Sequence, residues 1–266
     1  MTAMARRDGS PAGTSELLFR DDQIDPLRLT DEIRRLRRSG RRAALIDSGV
    51  YGLNDLEWLA EEQIILYSSD AAGRSGPDLV RIGEDVRKAG GAALYLVAGP
   101  WDGDAGRPRP AFEDLVLMGR SGWDLHVSNR ERERDPGRLA ELSRACREGG
   151  GFLVYYHTGP LGPWLEDLAG NGAWIHLTED SLAKDEDILT IKDAAEAAAR
   201  GGTGVILHAP KAGSVGRIKD AVRAGVLLRL ETPPSDYRSP LRELEAVSAK
   251  TRLGPRAFYL DPSVLP

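Results

Sequence analysis

Short runs of apolar, often β-branched residues recur along the chain; each ends in polar residues, is followed by an amphipathic stretch and is closed by a glycine. Eight runs have this form: Ala43–Asp47, Ile64–Ser69, Ala92–Ala98, Trp123–Ser128, Phe152–His157, Ala173–Thr178, Gly204–His208 and Val226–Glu231. Helical spacing of apolar positions follows them at Leu53–Glu62, Pro77–Ala89, Arg109–Gly119, Pro136–Glu148, Pro163–Ala169, Ile191–Arg200, Val215–Ala224 and Pro240–Lys250. A further helix precedes the first run, where Leu27, Leu29, Ile33 and Leu36 follow Asp25-Pro26 and Gly40 stops the pattern. Several helices open on proline and close near Gly90, Gly149, Gly201 or Gly225, the asymmetry expected of helix ends.

Strict strand–helix alternation predicts an α/β fold with a parallel sheet, and eight repeats predict a single-domain closed (β/α)8 TIM barrel. An open doubly wound sheet is the alternative. It is disfavoured by the count and by the lack of a G-x-G-x-x-G after the first strand, which also leaves no nucleotide-cofactor motif. A ninth apolar run, Ala257–Leu260, competes with Ala173–Thr178 for a place in the barrel, and Gly172 favours the latter because it resembles the other helix-to-strand joints. Met1–Ser15 is small, polar and partly basic, so residues 1–24 are expected to be a flexible leader and 25–266 the barrel.

Composition narrows the function classes. Of 266 residues, 41% are hydrophobic, enough for a core and too many for a disordered chain. Asp+Glu 41 against Lys+Arg 36 gives a net charge of -5, which argues against nucleic acid as the main partner and for a small-molecule substrate. The single cysteine, Cys146, excludes a disulfide framework and a thiolate metal site and fits a cytoplasmic setting. No apolar run approaches the roughly 20 residues of a membrane span. A homo-oligomer is compatible with all of this.

In such a barrel the chemistry belongs at the carboxyl ends of the strands. Those ends carry every histidine of the chain, His126, His157, His176 and His208, on four successive strands. Period-two alternation pairs His126 with Ser128, Tyr155 with His157, His176 with Thr178 and Arg229 with Glu231, and sends Val154 and Tyr156 to the helix layer. His208 fits less well, because the start of its strand is undefined. The candidate catalytic set is His126, His157, His176, Tyr155 and Glu231; the candidate substrate contacts are Asp47, Tyr67, Asn129, Lys211 and Arg229. A divalent metal, Mg²⁺ or Zn²⁺, would draw its ligands from Asp47, His126, His157, His176 and His208. The reading is histidine acid/base chemistry, a lyase, isomerase or transferase step, on a small polar or anionic metabolite. A barrel that binds a metabolite or scaffolds an assembly without catalysis is the alternative.

Two charged segments are weaker signals. Asp21-Asp22-Gln23-Ile24-Asp25 has DDxxD spacing, but Pro26 disfavours helix at Asp25. Arg130–Asp135 alternates in charge and reads as a solvated loop or lid face.

Leu45-Ile46-Asp47 and His126-Val127-Ser128-Asn129 resemble segments of the geranylgeranylglyceryl and heptaprenylglyceryl phosphate synthase barrels. That resemblance implies a Mg²⁺-dependent isoprenoid or phosphoglycerol-type transferase or cyclase in which Asp47 holds the metal. The chain departs from the family at Ile206-Leu207-His208, where an acidic base is expected, and at Leu230-Glu231-Thr232, where a glycine-rich phosphate loop is expected.

Overall fold

A computed structural model describes residues 16–101, 109–130, 132–182, 184, 186–209, 215–230 and 257–259. The chain divides into two compact units, residues 1–127 with 145–153 and residues 128–144 with 154–266. The first contains β1 (Glu16–Arg20), α1 (Pro26–Arg38), β2 (Arg42–Ile46), α2 (Leu53–Ala60), β3 (Ile65–Ser69), α3 (Gly76–Lys88), β4 (Ala92–Val97), α4 (Phe112–Arg120) and nearly all of β5 (Asp124–Ser128). After α5 (Pro136–Gly149), the second contains β6 (Leu153–His157), α6 (Trp164–Gly170), β7 (Trp174–Thr178), α7 (Glu186–Gly201), β8 (Val205–Ala209), α8 (Val215–Arg223), β9 (Leu227–Leu230) and β10 (Ala257–Tyr259).

All observed strand pairs are parallel, and neighbours follow chain order. That order decides the fold. A doubly wound sheet needs a point where strand order reverses, whereas right-handed crossovers in unbroken order place every helix on one face, as in a (β/α)8 barrel. The eight expected strands are β2 to β9, and the two competing runs are both strands, β7 and β10. Residues 16–20, expected within the flexible leader, instead form β1, which pairs with β2 from Glu16↔Arg42 to Arg20↔Ile46. The helix expected at Pro240–Lys250 lies outside the described residues.

In the first unit Leu18, Ala44, Ile65 and Ala92 are register neighbours and pack, with Tyr67 and Leu94, into one apolar cluster. The opposite face, with Leu45, Leu66, Tyr95 and Leu125, is buried beneath the helices. There the Trp123 indole meets Tyr95 edge-on at 6.0 Å and donates to the Leu79 carbonyl of α3 at 2.9 Å. Gly83 lets α3 come that close, since a Cβ there would lie 1.9 Å from the indole nitrogen.

The strand ends are held by a repeated device. Asp21, just after β1, accepts from the backbone N–H groups of Ser48, Val50 and Tyr51 and from the Ser48 hydroxyl. Asp70, just after β3, accepts from the N–H groups of Ala98 and Gly99 and from the Tyr95 hydroxyl. Asn129, just after β5, accepts from Thr158 N–H at 2.8 Å. Each residue thus ties down the loop after the next strand and satisfies donors that the loop would otherwise bury unpaired. The DDxxD spacing therefore has no common target: Asp21 holds this loop, Asp22 pairs with Arg20, and Asp25 caps α1.

Helix-to-strand joints take a left-handed residue, glycine at Gly172 (φ 96°) but glutamine at Gln63 (φ 60°). A side chain in that region costs about 1–2 kcal/mol. Gln63 is exposed, so Gln63→Gly is expected to stabilise the protein by up to about 1 kcal/mol in chemical denaturation, after the added unfolded-state entropy of glycine is offset. Unchanged or lower stability would show that the neighbouring structure imposes no strain there.

Candidate active site

Register corrects the expected pairing of the histidines. Tyr156 stands opposite His176, and His157 opposite Leu177, so Tyr155 and His157 lie on the other face of the sheet from His176. That face packs against α6: Trp164 approaches the ring of Tyr155 at 5.8 Å and that of His157 at 5.6 Å. His157 is only 5% exposed and engaged at both nitrogens. Nε2 faces the Pro160 carbonyl at 3.0 Å and must carry the proton, because a carbonyl only accepts. Nδ1 therefore accepts, from Asn129 Nδ2 at 3.1 Å and Tyr155 Oη at 3.3 Å. With burial also lowering its pKa, His157 is a neutral structural group with both nitrogens engaged, and Asn129 spends both its amide hydrogens and its oxygen on His157 and Thr158.

Asp47 is corrected in the same way. It is 2% exposed and accepts from Arg74 Nη2 at 2.7 Å, Arg74 Nε at 3.2 Å, Ser68 Oγ at 2.8 Å and Gly49 N–H at 3.0 Å. Four donors saturate the carboxylate and leave no lone pair for Mg²⁺ or substrate. Tyr67 lies half-buried on the face bearing the apolar cluster, between Ile46 and Leu94 in register. His126, opposite Leu96 in β5, is half-buried, and loss of hydration pushes its pKa down to about 4 against the opposing pull of Asp124. Lys211 and Glu231 lie outside the described residues. Arg134, expected in a solvated loop, is 5% exposed and donates Nε to the Ser128 carbonyl at 3.0 Å.

What the second unit does bring together is a row across β6 to β9. Tyr156, His176 and Ile206 are register neighbours, and one layer nearer the carboxyl ends Thr178, His208 and Arg229 are register neighbours. His176 Nδ1 and His208 Nε2 are 2.7 Å apart, and the two rings stack at 4.9 Å with 27° between planes. The Tyr156 ring packs on His176 at 4.6 Å, and burial pushes its phenol up to about 12. His208 is 3% exposed; burial, then the nearby Arg229 charge, lower its pKa to about 4, so it is neutral at pH 7. Its Nδ1 is buried without a hydrogen-bond partner among the described residues, as is Thr178 Oγ1 in the same layer. Buried polar atoms in that state are costly and concentrate where a ligand completes them.

Sequence reasoning omits Thr178 and Tyr156 from the site and gives His208 only a metal-ligand role. The alternation of Leu207 with Ile206 and His208 carries the missing signal, since it places His208 on one face with His176 once the strands are in register.

These imidazoles do not fit a shared metal. Two nitrogens each about 2.05 Å from a tetrahedral ion would stand about 3.3 Å apart, whereas these are at hydrogen-bond distance from one another. Among the described residues no three His, Cys, Asp or Glu side chains converge in a way that could hold a metal ion. Cys146 is buried, and burial raises its thiol pKa, which keeps it protonated and inert.

No protein-family model matches the chain, and no curated protein matches it. Solved structures align over most of its length. A D-psicose 3-epimerase determined in the presence of D-fructose is 11% identical over 82% of this chain and 84% of its own, with a TM-score of 0.35. A tetrameric deoxyribose phosphate aldolase from Aeropyrum pernix is 18% identical over 88% of both chains, with a TM-score of 0.29. A dihydropteroate synthase from Thermus thermophilus, in complex with 6HMPPP, is 18% identical over 89% of this chain and 93% of its own, with a TM-score of 0.32. Likeness at this level carries no functional argument, and the assignment to the (β/α)8 class rests on strand order and register.

Proposed function

We propose that the protein is a barrel enzyme that moves a proton to or from a small polar or anionic metabolite in a lyase or isomerase step. His208 would meet the substrate, with His176 behind it. The observation that carries this reading is the 2.7 Å contact between His176 and His208 together with the unpartnered Nδ1 on the far side of His208. When the shared proton sits on His208 Nε2, Nδ1 is a lone pair and a base; when it sits on His176 Nδ1, neutral His208 carries its proton on Nδ1 and is an acid.

Arg229 gives the pair a direction. A cationic His208 beside a guanidinium is unfavourable, so the proton taken at Nδ1 is relayed from Nε2 to His176, one strand farther from the charge. Thr178 and Arg229 flank His208 in register; in this reading they would bind a hydroxyl and an anionic group. The partner in this reading is a small molecule in the cytoplasm. Among the described residues no helix is long and apolar enough to cross a membrane.

The test is solvent-deuterium exchange by NMR into a panel of small hydroxy and keto acids and sugar phosphates. Wild type should label at least one compound, and His208→Gln should slow that labelling by roughly 10²–10⁴ with the fold retained, the usual share of acid–base catalysis. His157→Gln should destabilise the protein without a comparable loss of rate per folded molecule. Equal labelling by wild type and His208→Gln would sink the proposal.

A further inference from the structure

Six arginines fall within nine residues at the end of α1 and the start of β2: Arg34, Arg35, Arg37, Arg38, Arg41 and Arg42. Leu29, Ile33 and Leu36 form the buried stripe of α1, and Arg34, Arg37 and Arg38 leave on the other side to line an open concavity of about 350 Å³. Two carboxylates answer part of this charge. Glu62 takes Arg34 at 2.7 Å and Arg37 at 3.7 Å, and Glu32 takes Arg35 at 2.6 Å. Arg38, Arg41 and Arg42 have no ion pair among the described residues, and Arg41 Nε is buried without an acceptor. The helix dipole accounts for basic residues in the last turn of α1, but its effect fades within that turn and does not reach Arg41 and Arg42.

We propose that this patch binds the phosphate backbone of a nucleic acid without regard to sequence. Every cation in it is a guanidinium, whose fork matches phosphate oxygens. Residues 34–42 contain no aromatic ring on which a base could stack, so contact is to phosphates alone. A membrane surface fits less well. Leu36 and Ala43 are buried, which leaves nothing apolar to insert, and a flat anionic surface would also meet the adjacent Asp31, Glu32 and Glu61. A linear polyanion need engage only Arg38, Arg41 and Arg42, the arginines with no carboxylate paired to them among the described residues. The chain's net charge of -5 averages over this local excess and does not report it.

Fluorescence anisotropy with a labelled oligothymidylate of about 20 nucleotides tests the proposal, with three phosphate contacts predicting a roughly twenty-fold loss of affinity between about 50 and about 200 mM salt. Arg38→Glu/Arg41→Glu/Arg42→Glu should abolish binding. Because reversal at half-buried Arg41 can disturb folding, Arg38→Ala/Arg42→Ala is the second variant and should weaken binding and flatten the salt dependence while the melting temperature holds. The idea is overturned if wild type fails to bind at the lower salt, if the alanine variant binds as wild type does, or if only phosphatidylserine vesicles are bound.

Discussion

Arg74→Met is expected to destabilise the protein by about 3–5 kcal/mol, because it leaves the Asp47 carboxylate buried at 2% exposure with its charge unpaired. Ser68 and Gly49 still donate to it, but neither neutralises it. Asp47→Asn in the Arg74→Met background should recover much of the loss, since the amide can accept Gly49 N–H at its oxygen and donate its NH2 to the Ser68 hydroxyl without carrying charge. The same pair of variants tests the phosphoglycerol-transferase reading. A metal-binding Asp47 would make wild type more stable in added Mg²⁺ and would leave Arg74→Met a mild change. Urea denaturation of wild type and both variants, with and without Mg²⁺, decides it. A loss below about 1 kcal/mol for the single variant, or a Mg²⁺-dependent gain in wild type, would return Asp47 to the candidate ligands.

Asp47 also shows where sequence reasoning stops. Its place at a strand end is legible, because an apolar run must end where the chain leaves the sheet. Its partner is 27 residues away on the segment before α3, and no periodicity connects the two. The eight strands β2 to β9 are legible for the same local reason, each being an apolar run bounded by a glycine joint. β1 escapes because Leu17-Leu18-Phe19 is short and follows a polar stretch. β6 is misread for a different cause: Tyr155, Tyr156 and His157 are consecutive, so alternation within the strand cannot say which face carries the site. Only pairing with β7 decides it, and that places Tyr156 beside His176 and leaves His157 to the helix layer. Net charge fails in a third way, since a sum over 266 residues hides six arginines in nine.

The stability of the protein should fall steeply as pH drops from about 6.5 towards 4, where His126 and His208 have their folded pKa values. Both values lie below the ordinary histidine value of about 6.5, so the fold favours the neutral ring. Stability from this source is therefore complete above about pH 6.5, is lost as the unfolded state gains protons that the folded state refuses, and stops changing below about pH 4. A shift from 6.5 to about 4 amounts to on the order of 3 kcal/mol for each residue at the acid end, and roughly 2.5 kcal/mol by pH 4.5. Together they approach the whole stability of a typical domain, about 5–15 kcal/mol. Burial sets the sign at both rings. At His208 the nearby Arg229 charge adds to it, while at His126 Asp124 opposes it without cancelling it. His157 acts in the same direction, because protonating its Nδ1 would point a donor at the donors Asn129 and Tyr155. His126→Gln/His208→Gln removes two of these titrations whatever it does to stability at pH 7, so its urea-derived stability should depend on pH with a slope shallower by about two protons between pH 6 and 4.5. Parallel pH profiles for wild type and the double variant would mean that both imidazoles titrate in the folded protein as they do in water, and the neutral His208 on which the proton relay depends would be lost with them.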